Sequence, residues 1–128
     1  MLAIFVAGKL INTMNATGWH WQKRRRWAAG WRERTSAALL ESRSVKSGLV
    51  DTIAPARAKH VHFELHVARL WDDDMLGPGV KPVRDALAPW IIHDDGPTSG
   101  HRFTYSQVKD GRRGVTVRVR MRSEPEAT

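Results

Sequence analysis

Residues 59–87 read KHVHFELHVARLWDDDMLGPGVKPVRDAL. Val61, Phe63, Leu65 and Val67 alternate with His60, His62, Glu64 and His66. Side chains on a strand alternate between its faces, so this period predicts a strand over 59–70 with one apolar and one polar face. The strand is expected to run on into Asp72-Asp73-Asp74, with Asp72 and Asp74 pointing to one side. Gly77-Pro78-Gly79 then turns the chain. A helix follows over Val80–Ala88, with Lys81 and Asp85 at i, i+4 on one face. A strand and then a helix point to a small α/β (α+β) domain.

The rest of the chain fits that frame. Leu2–Ala7 reads as a first strand and residues 11–21 as a loop. Gln22–Ser42 reads as a helix with Trp27, Trp31, Ala38 and Leu39 on its apolar stripe. Its other face carries Lys23, Arg24, Arg25, Arg26, Arg32 and Arg34. Guanidinium groups bind phosphate bidentately, so this face is a candidate DNA-binding surface; a merely solvated basic face is the alternative. Trp21 and Trp27 are expected in the core, with base stacking as the alternative. Residues 43–58 read as a mobile connection or a short extra element. Beyond Pro89-Trp90, Ile91-Ile92 reads as a short strand ending at His93-Asp94-Asp95, and 96–100 as a turn. Residues 101–109 and 114–121 read as two strands, with Asp110-Gly111 as a hairpin signal between them.

Composition narrows the function. The 128 residues suffice for one domain, and none is cysteine, which removes disulfides, thiolate zinc sites and a cysteine nucleophile. The absence also fits a reducing compartment. The apolar stretch at residues 1–10 is too short to span a bilayer. The net charge is +8, all of it carried by residues 1–60, where 11 Lys/Arg face 3 Asp/Glu. Such asymmetry predicts a polyanionic partner.

Against that background, six carboxylates lie within residues 72–95. Crowded carboxylates repel unless a cation offsets them, and hard oxygen ligands suit Mg²⁺. Asp72, Asp74 and Asp95 are the candidate metal ligands and catalytic acids, with Lys81 offsetting charge on a phosphate. The alternative is that Asp72–Asp74 cap one turn and Asp94-Asp95 begin another. His60, His62 and His66 are read as a polar sheet face rather than a second metal site.

The set Asp72, Asp74, Leu76, Pro78, Lys81, Asp85, Ala86, Leu87, then Asp94 and Asp95, resembles the RusA family of Holliday-junction resolvases. The likeness covers roughly residues 60–120. It implies one nuclease domain over 1–122 with a mixed sheet flanked by helices, and a flexible tail over 123–128. It also implies a homodimer, Mg²⁺ or Mn²⁺ as cofactor, and cleavage of four-way and other branched DNA in recombination and repair. The setting would be the cytoplasm of a bacterium or a phage-infected host, with no membrane partner. By the same likeness Asp72, Asp74 and Asp95 hold metal, Lys81 is the catalytic lysine, and Asp85 and Asp94 support them. Arg69 joins the DNA-binding set. The chain departs from the family at Met75, where an Asn is usual, and at Trp71, where a basic residue is common. A junction binder that does not cut, and a metal nuclease acting on other nucleic acids, are the readings that compete with it.

Overall fold

The computed structural model describes residues 2–11, 18, 20–42, 59–88 and 100–121. In chain order these form β1 (Leu2–Ala7), α1 (Trp21–Glu41), β2 (Lys59–His66), a 3₁₀ turn (Asp73–Met75), α2 (Leu76–Gly79), α3 (Lys81–Leu87), β3 (Arg102–Val108) and β4 (Gly114–Met121). The strands make one mixed sheet in the order β1-β4-β2-β3. β4 runs antiparallel to both β1 and β2, while β3 runs parallel to β2. β1, β2 and β3 therefore point the same way. The result is the α+β architecture that the alternation predicted.

The core lies on one side of the sheet. Ile4 and Val6, Val61, Phe63 and Leu65, and Val115, Val117 and Val119 join Trp31 and Leu39 of α1 and Leu76, Val80, Val83 and Leu87 of the later helices in one apolar cluster. Phe63 has no exposed surface and stacks on Tyr105 at 5.5 Å and on Phe103 at 6.5 Å between ring centroids. α1 buries Trp31, Thr35 and Leu39, an i, i+4, i+8 stripe. Thr35 is the polar member, and its hydroxyl donates to the Trp31 carbonyl at 2.8 Å. Among the described residues no helix is long and apolar enough to cross a membrane.

Four local expectations are corrected. β2 stops at His66, because its neighbours stop there: His66 pairs with Val108, the last residue of β3, and with Gly114, the first of β4. With no partner strand beyond, the extended ladder cannot reach Asp72. Gly77-Pro78-Gly79 belongs to a helical turn, α2, rather than to an open turn. β3 and β4 do not form a hairpin, because β2 lies between them. The connection must cross two strand spacings, roughly 10 Å, which a two-residue turn cannot do. Residues 109–113 span it, with Gly111 (φ 74°) and Arg113 (φ 55°) in the left-handed region. Finally, the helix begins at Trp21, and this indole is 55% exposed instead of in the core. Trp27 is half-buried and packs on the core.

The proposed strand at Ile91-Ile92, the connection 43–58, the tail and the acids Asp94 and Asp95 lie outside the described residues.

Candidate functional site

The carboxyl ends of β1, β2 and β3 and the start of β4 meet at one edge of the sheet, as the pairing of Gly114 with both Ala7 and His66 requires. The chain leaves β2 at this edge and reaches the acidic turn a few residues later.

The approach is held by Gln107 on β3. Its amide oxygen accepts from the Trp71 backbone N–H at 2.8 Å, and its amide nitrogen donates to the Trp71 carbonyl at 2.7 Å. A paired contact of this kind fixes backbone direction as well as position. The Trp71 ring packs against Gly79, where an added Cβ would lie 2.5 Å from the ring. The residue before Asp72 is thus clamped between β3 and α2. Gln107 carries no signal in the sequence, since its role depends on a partner far away along the chain.

Asp72 is extended (φ −63°, ψ 139°) at the head of the 3₁₀ turn, and the Met75 N–H donates to its carbonyl at 2.9 Å. Asp72, Asp73 and Asp74 are all exposed. The Asp72 side chain caps nothing. Among the described residues none of the three carboxylates has an ion-pair partner. Capping by Asp72 therefore does not explain the cluster.

Lys81 is exposed on α3 and lies 3.3 Å from Asp85 Oδ1 and 3.4 Å from Oδ2. The predicted i, i+4 pair forms, so Asp85 supports Lys81 directly, while Lys81 makes no ion pair with the acidic turn. The third expected ligand, Asp95, is outside the described residues. Among the described residues no three His, Asp or Glu side chains gather into a metal-binding group.

Cations gather beside Trp71, the residue that leads into the acidic turn. A cavity of about 320 Å³ beside Trp71 is lined by Lys9, Arg69 and Arg113, together with His66. Arg69 was an expected DNA contact. Lys9 and Arg113 were not, because they lie at the ends of β1 and the β3–β4 connection and only the sheet order unites them. On α1, Lys23, Arg24, Arg25, Arg26 and Arg32 are all exposed, as expected. Lys23 and Arg24 occupy the first turn, which holds no acidic residue. Cations there oppose the helix dipole.

The opposite face of the sheet is a lateral hydrogen-bond network. His60 Nε2 and His62 Nδ1 lie 2.7 and 2.6 Å from Thr104 Oγ1, and His62 Nε2 lies 2.8 Å from Ser106 Oγ. His66 was expected to face outward. It is instead buried beneath Phe5, with Nδ1 2.6 Å from Asp110 and Nε2 2.7 Å from Thr116. The His66–Asp110 contact ties the crossing connection to the end of β2. The Asp110 carboxyl is held below its ordinary pKa, first by the Arg112 backbone N–H and also by His66. His60 and His62 lie on the polar face as expected, while His66 is enclosed at its end.

Two predictions arise here. Burial, reinforced by Arg118, lowers the His62 pKa from its ordinary 6.5, and Glu64 only partly opposes this. Below about pH 6.5 the unfolded chain then binds more protons than the folded one, so stability falls as pH drops through that point. Urea unfolding at about pH 7.5 and about pH 5.5 should show the loss, and His62→Gln should reduce it. An unchanged pH dependence in that variant would refute the assignment. Gln107→Ala removes both bonds to Trp71. It should cost about 1–2 kcal/mol of stability. Any activity that depends on Asp72 and Asp74 should fall with it, and Gln107→Glu should recover the bond from the Trp71 N–H only. Full activity in Gln107→Ala would mean that the clamp does not position the turn.

Comparisons of the chain with family models, with curated proteins and with solved structures find no match.

Proposed function

We propose that this chain is a Mg²⁺-dependent endodeoxyribonuclease that cuts four-way and other branched DNA, acting as a homodimer in the cytoplasm of a bacterium or phage-infected host. The observation that carries the reading is the acidic turn: adjacent, exposed carboxylates without ion-pair partners among the described residues, set beside the cationic cavity of Lys9, Arg69 and Arg113. Among the described residues no ion pair offsets the repulsion between these acids, and a divalent cation would. Branched DNA and the dimer come from the resemblance to the RusA family. A two-fold protein would present identical sites to two equivalent strands of a junction.

The donor chemistry fits the metal, since carboxylate oxygens are the preferred protein ligands of Mg²⁺ and Mn²⁺. Asp72 and Asp74 would hold it together with Asp95. Bound there, the cation would supply charge neutralisation at the phosphate and activation of water. The chain's own part is to place the phosphate. Lys9, Arg69 and Arg113 would attract the backbone to the sheet edge, and Gln107 holds Trp71, the residue before Asp72, in one orientation. Lys81, steadied by Asp85, adds positive charge on α3.

The test is cleavage of a labelled four-way junction and of a matched linear duplex, with Mg²⁺, Mn²⁺ or chelator. Symmetric cutting of the junction that needs the metal supports the proposal. Equal cutting of the duplex or of RNA leaves a metal nuclease without junction selectivity. A second reading, a junction binder that does not cut, draws on Lys81 pairing with Asp85 instead of the acidic turn and on Met75. Tight junction binding without cutting in either metal would establish it.

A further inference from the structure

We propose that α1 is a stacking track for an unpaired nucleic-acid strand, with Trp21 as its exposed platform and a groove at Trp27 as a second base-sized recess. This deepens the proposed function by naming the form of substrate that the basic helix engages, and rests on that reading only for the nature of the polyanion.

Trp21 is a large aromatic residue left 55% exposed at the first position of α1. Its ring is flanked by the Arg25 guanidinium, 5.5 Å from the ring centroid, and by the His20 ring at 5.5 Å. Trp21, Arg25 and Arg26 line a recess of about 330 Å³. About 9 Å further along the helix axis, Trp27 lines a second recess, of about 300 Å³, between α1 and α3. Its apolar walls are Trp27, Pro78 and Pro82, and its cations are Arg24, Arg32 and Lys81. Each recess thus joins an indole to at least two guanidinium groups.

Charge selects the occupant. Residues 21–32 contain no acidic residue, and among the described residues the only carboxylate lining either recess is Asp85, which is paired with Lys81. An apolar ligand would not need that ring of cations. A duplex would satisfy the cations but would keep its base faces stacked within itself, out of reach of Trp21. A single strand offers both parts at once: phosphates for the guanidinium groups and open base faces for the indole. The Trp27 recess adjoins Pro78 of α2, directly after the acidic turn, so a strand on α1 would lie beside the carboxylates.

The experiment is fluorescence anisotropy of labelled oligothymidylate and of a duplex of equal length, both in EDTA so that cleavage plays no part. Trp21→Ala should weaken single-strand binding roughly five- to 150-fold, the range of one lost base stack, with little change for the duplex. Trp21→Phe should retain most of the affinity. Ala28→Leu, which fills the Trp27 recess, should also weaken single-strand binding. Oligouridylate in parallel tells RNA from DNA as the bound strand. Thermal melts show whether each variant folds, and Trp21 is exposed enough that replacing it leaves the core untouched. Equal losses on single strand and duplex, no loss in Trp21→Ala, or equal competition by polyglutamate would overturn the proposal. Trp21-dependent strand binding in a protein that never cuts would sink the nuclease reading alone. Duplex or junction binding that ignores Trp21 would sink this proposal alone.

Discussion

Asp72→Asn is expected to lower metal-dependent junction cleavage by at least about 100-fold while leaving the fold as stable as before. Loss of a group that merely orients a metal ligand costs roughly 10- to 100-fold, so loss of a ligand oxygen should reach the upper end or pass it. Stability should behave in the opposite manner. Asp72 is exposed, caps nothing and has no ion-pair partner among the described residues. An exposed substitution of this kind normally changes stability by less than about 0.5 kcal/mol, and relief of repulsion from Asp73 and Asp74 works in its favour. Junction cleavage rates and urea unfolding of the same preparation test both halves. Cleavage within threefold of the parent would remove Asp72 from the catalytic set. A marked loss of stability would mean that the turn needs the carboxylate for its shape. Asp95→Asn tests the remaining expected ligand in the same assay.

Phe63→Ala should destabilise the domain by about 3–5 kcal/mol, a large share of the roughly 5–15 kcal/mol that holds a domain together. Phe63 lies on β2 between β4 and β3, fully buried, with Tyr105 and Phe103 stacked beside it. Truncation leaves a cavity that two ring systems on a paired strand cannot close. The effect should reach the site, because Tyr105 accepts a hydrogen bond from Arg84 of α3 at 3.1 Å and lines Gly77 of α2. Denaturant unfolding measures the loss, and a cost below about 1.5 kcal/mol would show that the sheet repacks freely around the gap.

The candidate site is legible in part. The acids at 72–74, the pair Lys81–Asp85 and the basic run on α1 stand in the sequence as types and spacings. Their local geometry follows from short-range rules: a period of two for β2, a period near four for α1, an i, i+4 pair for α3. Lys9, Arg113 and Gln107 could not be found that way. Lys9 and Arg113 meet Arg69 only once β4 has inserted between β1 and β2, and Gln107 meets Trp71 only once β3 has paired beside β2. The Asp110-Gly111 pair shows the limit most plainly. As a local signal it favours a hairpin, yet Asp110 instead bonds to His66 across the end of β2.

Residue order alone carries the central parts of the four strands, of α1 and of α3, the apolar face of β2, and one dense acidic stretch in a strongly basic chain. These depend on neighbours a few positions apart. The end of β2 at His66, the place of the acids on a clamped 3₁₀ turn, and the exposure of Trp21 against the burial of Trp31 come from the assembled fold. Strand ends are set by which partners run out, and exposure by which surfaces meet, and both are properties of the assembled sheet and helices.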